Sequence, residues 1–310
     1  MRKVLITGAG GFIGGALAKY LLDKGVIVIG VDISLDKMEF LSGYKNFSKV
    51  VATFEQYSGL HEVIADRDID VFYHFAWQGV FGLAFQNYEM QLNNAKYSCI
   101  AVDEAIKMNI KKFVFAGTMN EYEMDNYIHC DYFEPRYTYI YSAVKQVSEA
   151  IGKTLAYNKK IEYCAGRIAM AFGEKNNSDI LPNVVMRNLL NGNPCKLIAG
   201  EGKYDMIYID DIVAAFKAIG EHGKNMKSYY IGHRKLRTFR EIITEIACIL
   251  NPQCELQFGA YPDVPSGVDY DNIDLDALYR DTKFECKADF KESVLKTASW
   301  LKESDMKVKK

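Results

Sequence analysis

Paired cysteines, long apolar runs and an imbalance of charge are all missing from this chain of 310 residues. The seven cysteines (Cys99, Cys130, Cys164, Cys195, Cys248, Cys254 and Cys286) are scattered, odd in number and free of any Cys-x-x-Cys pair. That usage fits free thiols in a reducing cytoplasm and predicts neither a disulfide framework nor a metal site. No apolar run approaches the length of a membrane span. A strand candidate begins two residues after Met1, which leaves no room for a leader peptide, so the sequons at Asn46 and Asn176 are expected to stay unmodified. With 38 basic residues against 40 acidic ones, no net field draws the chain to nucleic acid or to an anionic membrane. Internal repeats and low-complexity tracts are absent as well. What remains is a cytoplasmic globular chain, 49% hydrophobic, long enough to bury one large core or two interleaved ones.

The first half alternates short apolar runs with longer amphipathic segments, the βαβ rhythm of a parallel sheet covered on both faces. Strand candidates are KVLIT, VIVIGV, KVVAT, DVFYHF, KKFVFAG and IEYCAGRI. Between them, GFIGGALAKYLLDKG and NYEMQLNNAKYSCIAVDEAIKMN space their apolar residues as helices do, the first ending at Gly25. Right-handed crossovers make this a Rossmann-type, doubly wound α/β sheet. After Arg167 the texture loosens into GEKNNSDILPN and NGNPCKLIAGEGK, then returns to a strand, DMIYI, a helix, DDIVAAFKAIGEH, and a strand, SYYIG. The expected organisation is a nucleotide-binding domain over residues 1–168, with 204–232 returning to it. A smaller, loop-rich C-terminal substrate region would take 169–203 and 233–310.

Gly8, Gly11 and Gly14 stand at the spacing Gly-x-x-Gly-x-x-Gly, directly after a strand and opening a helix. Such glycines allow a tight turn and a close backbone approach to a pyrophosphate, while the helix start at Phe12 and Ile13 offers N–H donors. The plainer reading is a glycine-rich turn. Asp32, at the end of the second strand, can accept from both hydroxyls of an adenosine ribose and would repel a 2′-phosphate, which favours NAD over NADP. A strand-capping aspartate is the alternative there.

A tyrosine and a lysine four residues apart share a helical face, so the ammonium can stabilise the phenolate. The pattern occurs three times, at Tyr20/Lys24, Tyr141/Lys145 and Tyr279/Lys283. Only Tyr141/Lys145 opens a long helix between the fifth and sixth strands, near the carboxyl rim where Thr118 ends the fifth strand and where such folds bind ligands.

Together Gly8-Gly11-Gly14, Asp32, Thr118 and Tyr141-x-x-x-Lys145 resemble the extended short-chain dehydrogenase/reductase family, the NAD-dependent epimerases and dehydratases of nucleotide sugars. YHFAW (Tyr73 to Trp77) is similar to the family's His-x-Ala-Ala element, with Ala76 in place and Trp77 departing from the final alanine. The helix from Asn94, with Asn93 as the alternative register, RIAMAFG, and EGKYDMIYIDDIVAA extend the resemblance over nearly the whole chain. It implies that Tyr141 is an acid/base on a sugar oxygen during hydride transfer, that Lys145 holds the nicotinamide ribose, and that Thr118 aligns the reacting oxygen. Asn94 would lie at the cofactor, although a helix asparagine that satisfies backbone groups fits as well. Asn120, Glu121 and Tyr204 are the candidate substrate contacts.

In the family's 4,6-dehydratases an Asp-Glu pair follows the threonine. Here Met119 and Asn120 take those places, so elimination is disfavoured and Glu121 is left to anchor a loop or contact the sugar. The Gly-Thr-x-x-Glu-Tyr stretch leans toward 4-keto-sugar reductases; Asp32 leans toward a C4 epimerase that keeps its NAD. Family members that grip a diphosphate often carry arginine where this chain has Tyr204 and Tyr261, so Arg187, Lys196, Lys203, Arg234 or Arg237 would have to substitute. A non-catalytic NAD-binding regulator of the same fold is the alternative from another class, and a dehydrogenase of small alcohols is disfavoured by the additional C-terminal residues. The family also implies a homodimer built on the Asn94 and Tyr141 helices.

Overall fold

The computed structural model describes residues 1–129, 134–262 and 268–308; Cys130 is outside them. Seven strands build one sheet: β1 (Lys3–Thr7), β2 (Ile27–Asp32), β3 (Phe47–Val51), β4 (Val71–His74), β5 (Lys112–Thr118), β6 (Glu162–Ile168) and, from far along the chain, β11 (Lys227–Ile231). They pair in the order β11-β6-β5-β4-β1-β2-β3, all parallel. Alternation explains why both faces must be covered. Val4 and Ile6 of β1 join one core with Leu17, Leu21 and Phe216, while Leu5 joins the other with Phe72, Phe113 and Phe115. Residues apolar on both faces cannot leave either one wet.

Helices α1 (Phe12–Asp23) and α7 (Ile209–His222) cover the first face, and α3 (Tyr88–Lys107) and α5 (Tyr139–Asn158) the second, α2 (Leu60–Val63) being a single short turn. The sheet reverses its winding between β1 and β4, which opens a crevice at their carboxyl ends. One helix was not visible in the sequence. Residues expected to form a loop after Thr118 make α4 (Asn120–Ile128), which carries Glu121 and Glu123 in its first turn, where acids suit the helix dipole. Its apolar spacing is too weak to announce it.

Beyond β6 the chain forms short pairs: β7 (Met170–Phe172) with β10 (Met206–Tyr208), β8 (Cys195–Leu197) with β13 (Leu256–Phe258), and β9 (Lys203–Tyr204) with β12 (Arg237–Thr238). Helices α6 (Leu181–Asn191), α8 (Phe239–Leu250), α9 (Ala277–Thr282) and α10 (Phe290–Val308) surround them. Among the described residues no helix is long and apolar enough to cross a membrane.

His74 closes the crevice from below. Its Nδ1 lies 2.8 Å from Thr7 Oγ1 and its Nε2 3.1 Å from Ser98 Oγ, whose own proton goes to the Asn94 carbonyl at 2.8 Å. Nε2 therefore carries a hydrogen, and the neutral ring that burial favours leaves Nδ1 to accept from Thr7. Burial, helped by the charge of Lys145, lowers its pKa to about 3. Since the unfolded chain takes up this proton near 6.5, the stabilisation is complete above that pH and is lost as the pH falls toward 3. Urea unfolding should show this group removing about 2 kcal/mol between pH 7 and pH 5, a loss that disappears in His74→Gln. Equal pH losses in the two proteins would acquit His74.

Candidate active site

The glycine loop is shaped by contacts that only glycine permits. Gly8 has φ of +72°, and a Cβ there would lie 2.9 Å from the Ala76 amide nitrogen. On Gly14 a Cβ would fall 2.3 Å from the Gly8 carbonyl oxygen, so the first turn of α1 rides directly on the loop. Gly11 caps α1 with no side-chain hydrogen bond and no acid stands in the first turn, so the positive end of the helix dipole at Phe12, Ile13 and Gly14 is not offset by a side chain of the helix. Asp32 is held beside it, accepting from the amides of Gly10 at 2.9 Å and Ile33 at 2.8 Å. A carboxylate has lone pairs to spare beyond these two bonds. A tight glycine loop at a helix start and a neighbouring acid that suits ribose hydroxyls fit a dinucleotide such as NAD.

The opposite wall follows β4. The Ala76 backbone comes close to Gly8. Asn94, fully buried on α3, spends its amide on the loop beyond: Oδ1 accepts from the Gln78 amide and Nδ2 donates to the Gln78 carbonyl, both at 2.8 Å. The structure thus commits Asn94 to shaping the wall rather than leaving its amide free for a ligand. Gln91 fastens the same loop through the carbonyls of Gly79 and Ala84, and its Oε1 accepts from the Trp77 indole at 2.9 Å.

That indole is the largest surprise in the site. Lys145 Nζ lies 3.7 Å from the Trp77 ring centre, with Phe115 at 4.8 Å and Tyr141 at 5.9 Å, and donates to the Ala116 carbonyl at 2.8 Å. Burial lowers the Lys145 pKa, and the Glu121 charge opposes that. Aromatic faces solvate an ammonium that water no longer reaches. Tyr141 stands edge-on to Trp77 at 6.0 Å and to Phe85 at 4.9 Å. Burial pushes the pKa of its phenol up, the neighbouring Thr118 hydroxyl pulls it down, and the Glu121 charge adds to the rise. Thr118 Oγ1 also accepts from the Asn120 amide at 3.3 Å. Thr118, Tyr141 and Lys145 are therefore one cluster at the carboxyl rim. The other two tyrosine-lysine pairs are not part of it: Lys24 lies over Tyr20 at the end of α1, and Lys283 over Tyr279 at the end of α9.

Met119 is buried in the core and Asn120 is neutral, so no pair of acids follows the threonine. Glu121 points away from the rim and under it, accepting from the Thr118 amide at 2.7 Å. Tyr204, on β9, packs edge-on to Phe239, with its phenol end buried near Tyr270, Glu123 and Asp205. Four of the cations offered for a diphosphate are already engaged: Arg187 with Asp305, Lys203 with Asp271, Arg234 with Asp276, and Arg237 with Glu245. Sequence reasoning missed Arg136, which pairs with Glu123 at 2.9 Å and is close enough for its charge to act on the Tyr204 phenol.

Comparison with known proteins agrees with this architecture. The NAD dependent epimerase/dehydratase family matches residues 4–232. A dTDP-4-dehydro-6-deoxyglucose reductase from Escherichia coli is 26% identical over 268 residues, covering 82% of this chain and 84% of that one. The fold is shared with a UDP-glucuronic acid 4-epimerase from Bacillus cereus, solved with UDP-glucuronic acid and NAD (TM-score 0.78, 20% identity, 98% of this chain and 100% of that one). It is shared equally with a dTDP-glucose 4,6-dehydratase from Bacillus anthracis, solved with NAD (TM-score 0.77, 19% identity, 99% and 98%). The glycine cradle, the sheet order and the match over most of its length make this chain a member of the NAD dependent epimerase/dehydratase family.

Proposed function

We propose that the protein is an NAD(H)-dependent enzyme acting at C4 of a nucleoside-diphosphate hexose, as a C4 epimerase or a 4-keto-sugar reductase. The observation that carries this reading is the cluster of Thr118, Tyr141 and Lys145 at the rim, with Met119 and Asn120 where elimination would need acids. When bound, NAD supplies the hydride acceptor or donor at its nicotinamide ring. Tyr141 then exchanges a proton with the C4 oxygen, Thr118 hydrogen-bonds the same oxygen, and Lys145, seated among its aromatic rings, stabilises the phenolate and holds a ribose. Asp32 receives the adenosine ribose. Asn120 and Tyr204 are the proposed contacts to the sugar nucleotide. The division into a nucleotide-binding part and a substrate-binding part, and a place in the reducing cytoplasm, belong to the same proposal.

A homodimer is also proposed. On α3 and α5, which pack together over the second face, Leu92, Val147 and Ile151 turn outward and are 55%, 46% and 43% exposed. An apolar stripe on two adjacent helices suits a second copy of itself. Sedimentation at micromolar concentration should give a dimer, and Val147→Asp should give a monomer; a monomeric wild type refutes the idea.

Nucleotide released from the heat-denatured protein distinguishes the two reactions. Near-stoichiometric NAD or NADH marks an epimerase that regenerates its cofactor, while an empty protein that takes up NADH marks the reductase. The chain has two tryptophans, so Trp300→Phe leaves Trp77 as a reporter beside Lys145, and NADH should quench its emission. In that background Asp32→Ala should weaken NADH binding roughly 10-fold or more while improving NADPH. Tyr141→Phe should keep NADH binding and lower turnover by roughly 10²–10⁴-fold. Full function in Tyr141→Phe would point instead to a regulator that only binds the dinucleotide.

A further inference from the structure

Glu121 is completely buried, three residues beyond Thr118. Its Oε1 accepts from the Thr118 amide at 2.7 Å, an approach that requires Gly117, because a Cβ there would lie 2.6 Å from that oxygen. The other oxygen stands 3.1 Å from Arg167 Nε. Arg167, on β6, pairs in register with Gly117 and lies against the Tyr122 ring at 4.7 Å. The same Nε is 3.2 Å from Glu149 Oε2, and Nη2 donates to Glu149 Oε1 at 3.4 Å. Glu149 follows Lys145 by one turn and Tyr141 by two on the same face of α5. Lys153, a turn further, and Ser228 of β11 hold its Oε1 at 2.7 and 2.5 Å.

One guanidinium therefore joins the carboxylate that grips the end of β5 to the carboxylate on the tyrosine-bearing helix. Two acids this deep repel each other unless a cation stands between them. Burial and the Glu149 charge raise the Glu121 pKa; for Glu149 burial also raises it, but Arg167 and Lys153 outweigh that and leave it low. A bridge serving stability alone would need only Glu149 to satisfy Arg167. What Glu121 adds is the bond to the Thr118 amide.

We propose that Glu121, Arg167 and Glu149 form a strut that sets the Thr118 hydroxyl against the Tyr141 phenol, with Glu121 as the positioning residue. This rests on Thr118 and Tyr141 being the reacting pair. The strut fixes the end of β5 and the face of α5 relative to each other, so a loss of about 1 Å in their alignment should appear in the chemical step and not in binding. Glu121→Ala removes the acceptor, Glu121→Gln retains it without charge, and Arg167→Lys keeps a cation too compact to span both acids.

The test is to determine crystal structures of the three variants and measure kcat, KM and NADH affinity for each. In Glu121→Ala and Arg167→Lys the Thr118 side chain should leave Tyr141, and kcat should drop about 10-fold with KM and NADH affinity within about twofold. Glu121→Gln should restore the contact and most of the rate. Should Glu121→Ala fail to fold, Arg167→Lys decides alone. A Thr118 that stays on Tyr141 in the disrupted variants, or a KM that rises in step with the fall in kcat/KM, overturns the strut. If the wild type turns over no nucleoside-diphosphate sugar, the functional reading fails separately, and the Thr118–Tyr141 contact in the crystals still decides this one.

Discussion

The bond between Thr7 and a neutral His74 is the contact on which the site depends. It ties the end of β1, which launches the glycine loop, to the end of β4, which launches the opposite wall, across the point where the sheet changes its direction of winding. From there the chain of partners runs through Ser98 to Asn94, through Asn94 to Gln78 and Gln91, and through Gln91 to the indole that seats Lys145. The glycine loop and the seat of Lys145 are thus joined through one buried polar network. Such networks are rigid when every member is satisfied and poorly tolerant of partial loss.

The strands were legible because a parallel sheet buried on both faces leaves an unmistakable trace. KVLIT is β1 to the residue, and SYYIG contains most of β11, although more than two hundred residues separate the two strands. Thr118 could be located because it ends such a run, and Tyr141 could be chosen among three similar pairs because only its helix starts at the carboxyl rim. Asp32 and the glycines follow from local spacing alone.

What stayed hidden was whatever depends on distant side chains meeting. Arg167 is 46 positions from Glu121, and nothing in either neighbourhood signals their pairing across β6. In the sequence Trp77 stands out only as a departure from alanine; that it lies on Lys145 is a matter of tertiary packing. Asn94 illustrates the opposite difficulty, since its position in the sequence marks it out while its amide is absorbed by Gln78. Helix α4 escaped because its stability comes from its neighbours and its acidic first turn, with little apolar periodicity of its own.

The burial of Met119 has an evolutionary consequence. Its side chain is 7% exposed and belongs to the main core, so a carboxylate in its place would lose its water to apolar neighbours with no cation supplied. Asn120 is the easier of the two positions to acidify. A lineage moving from this chain toward elimination chemistry would first have to loosen the surroundings of Met119, so the barrier between the two reactions lies in the order of substitutions as much as in their number.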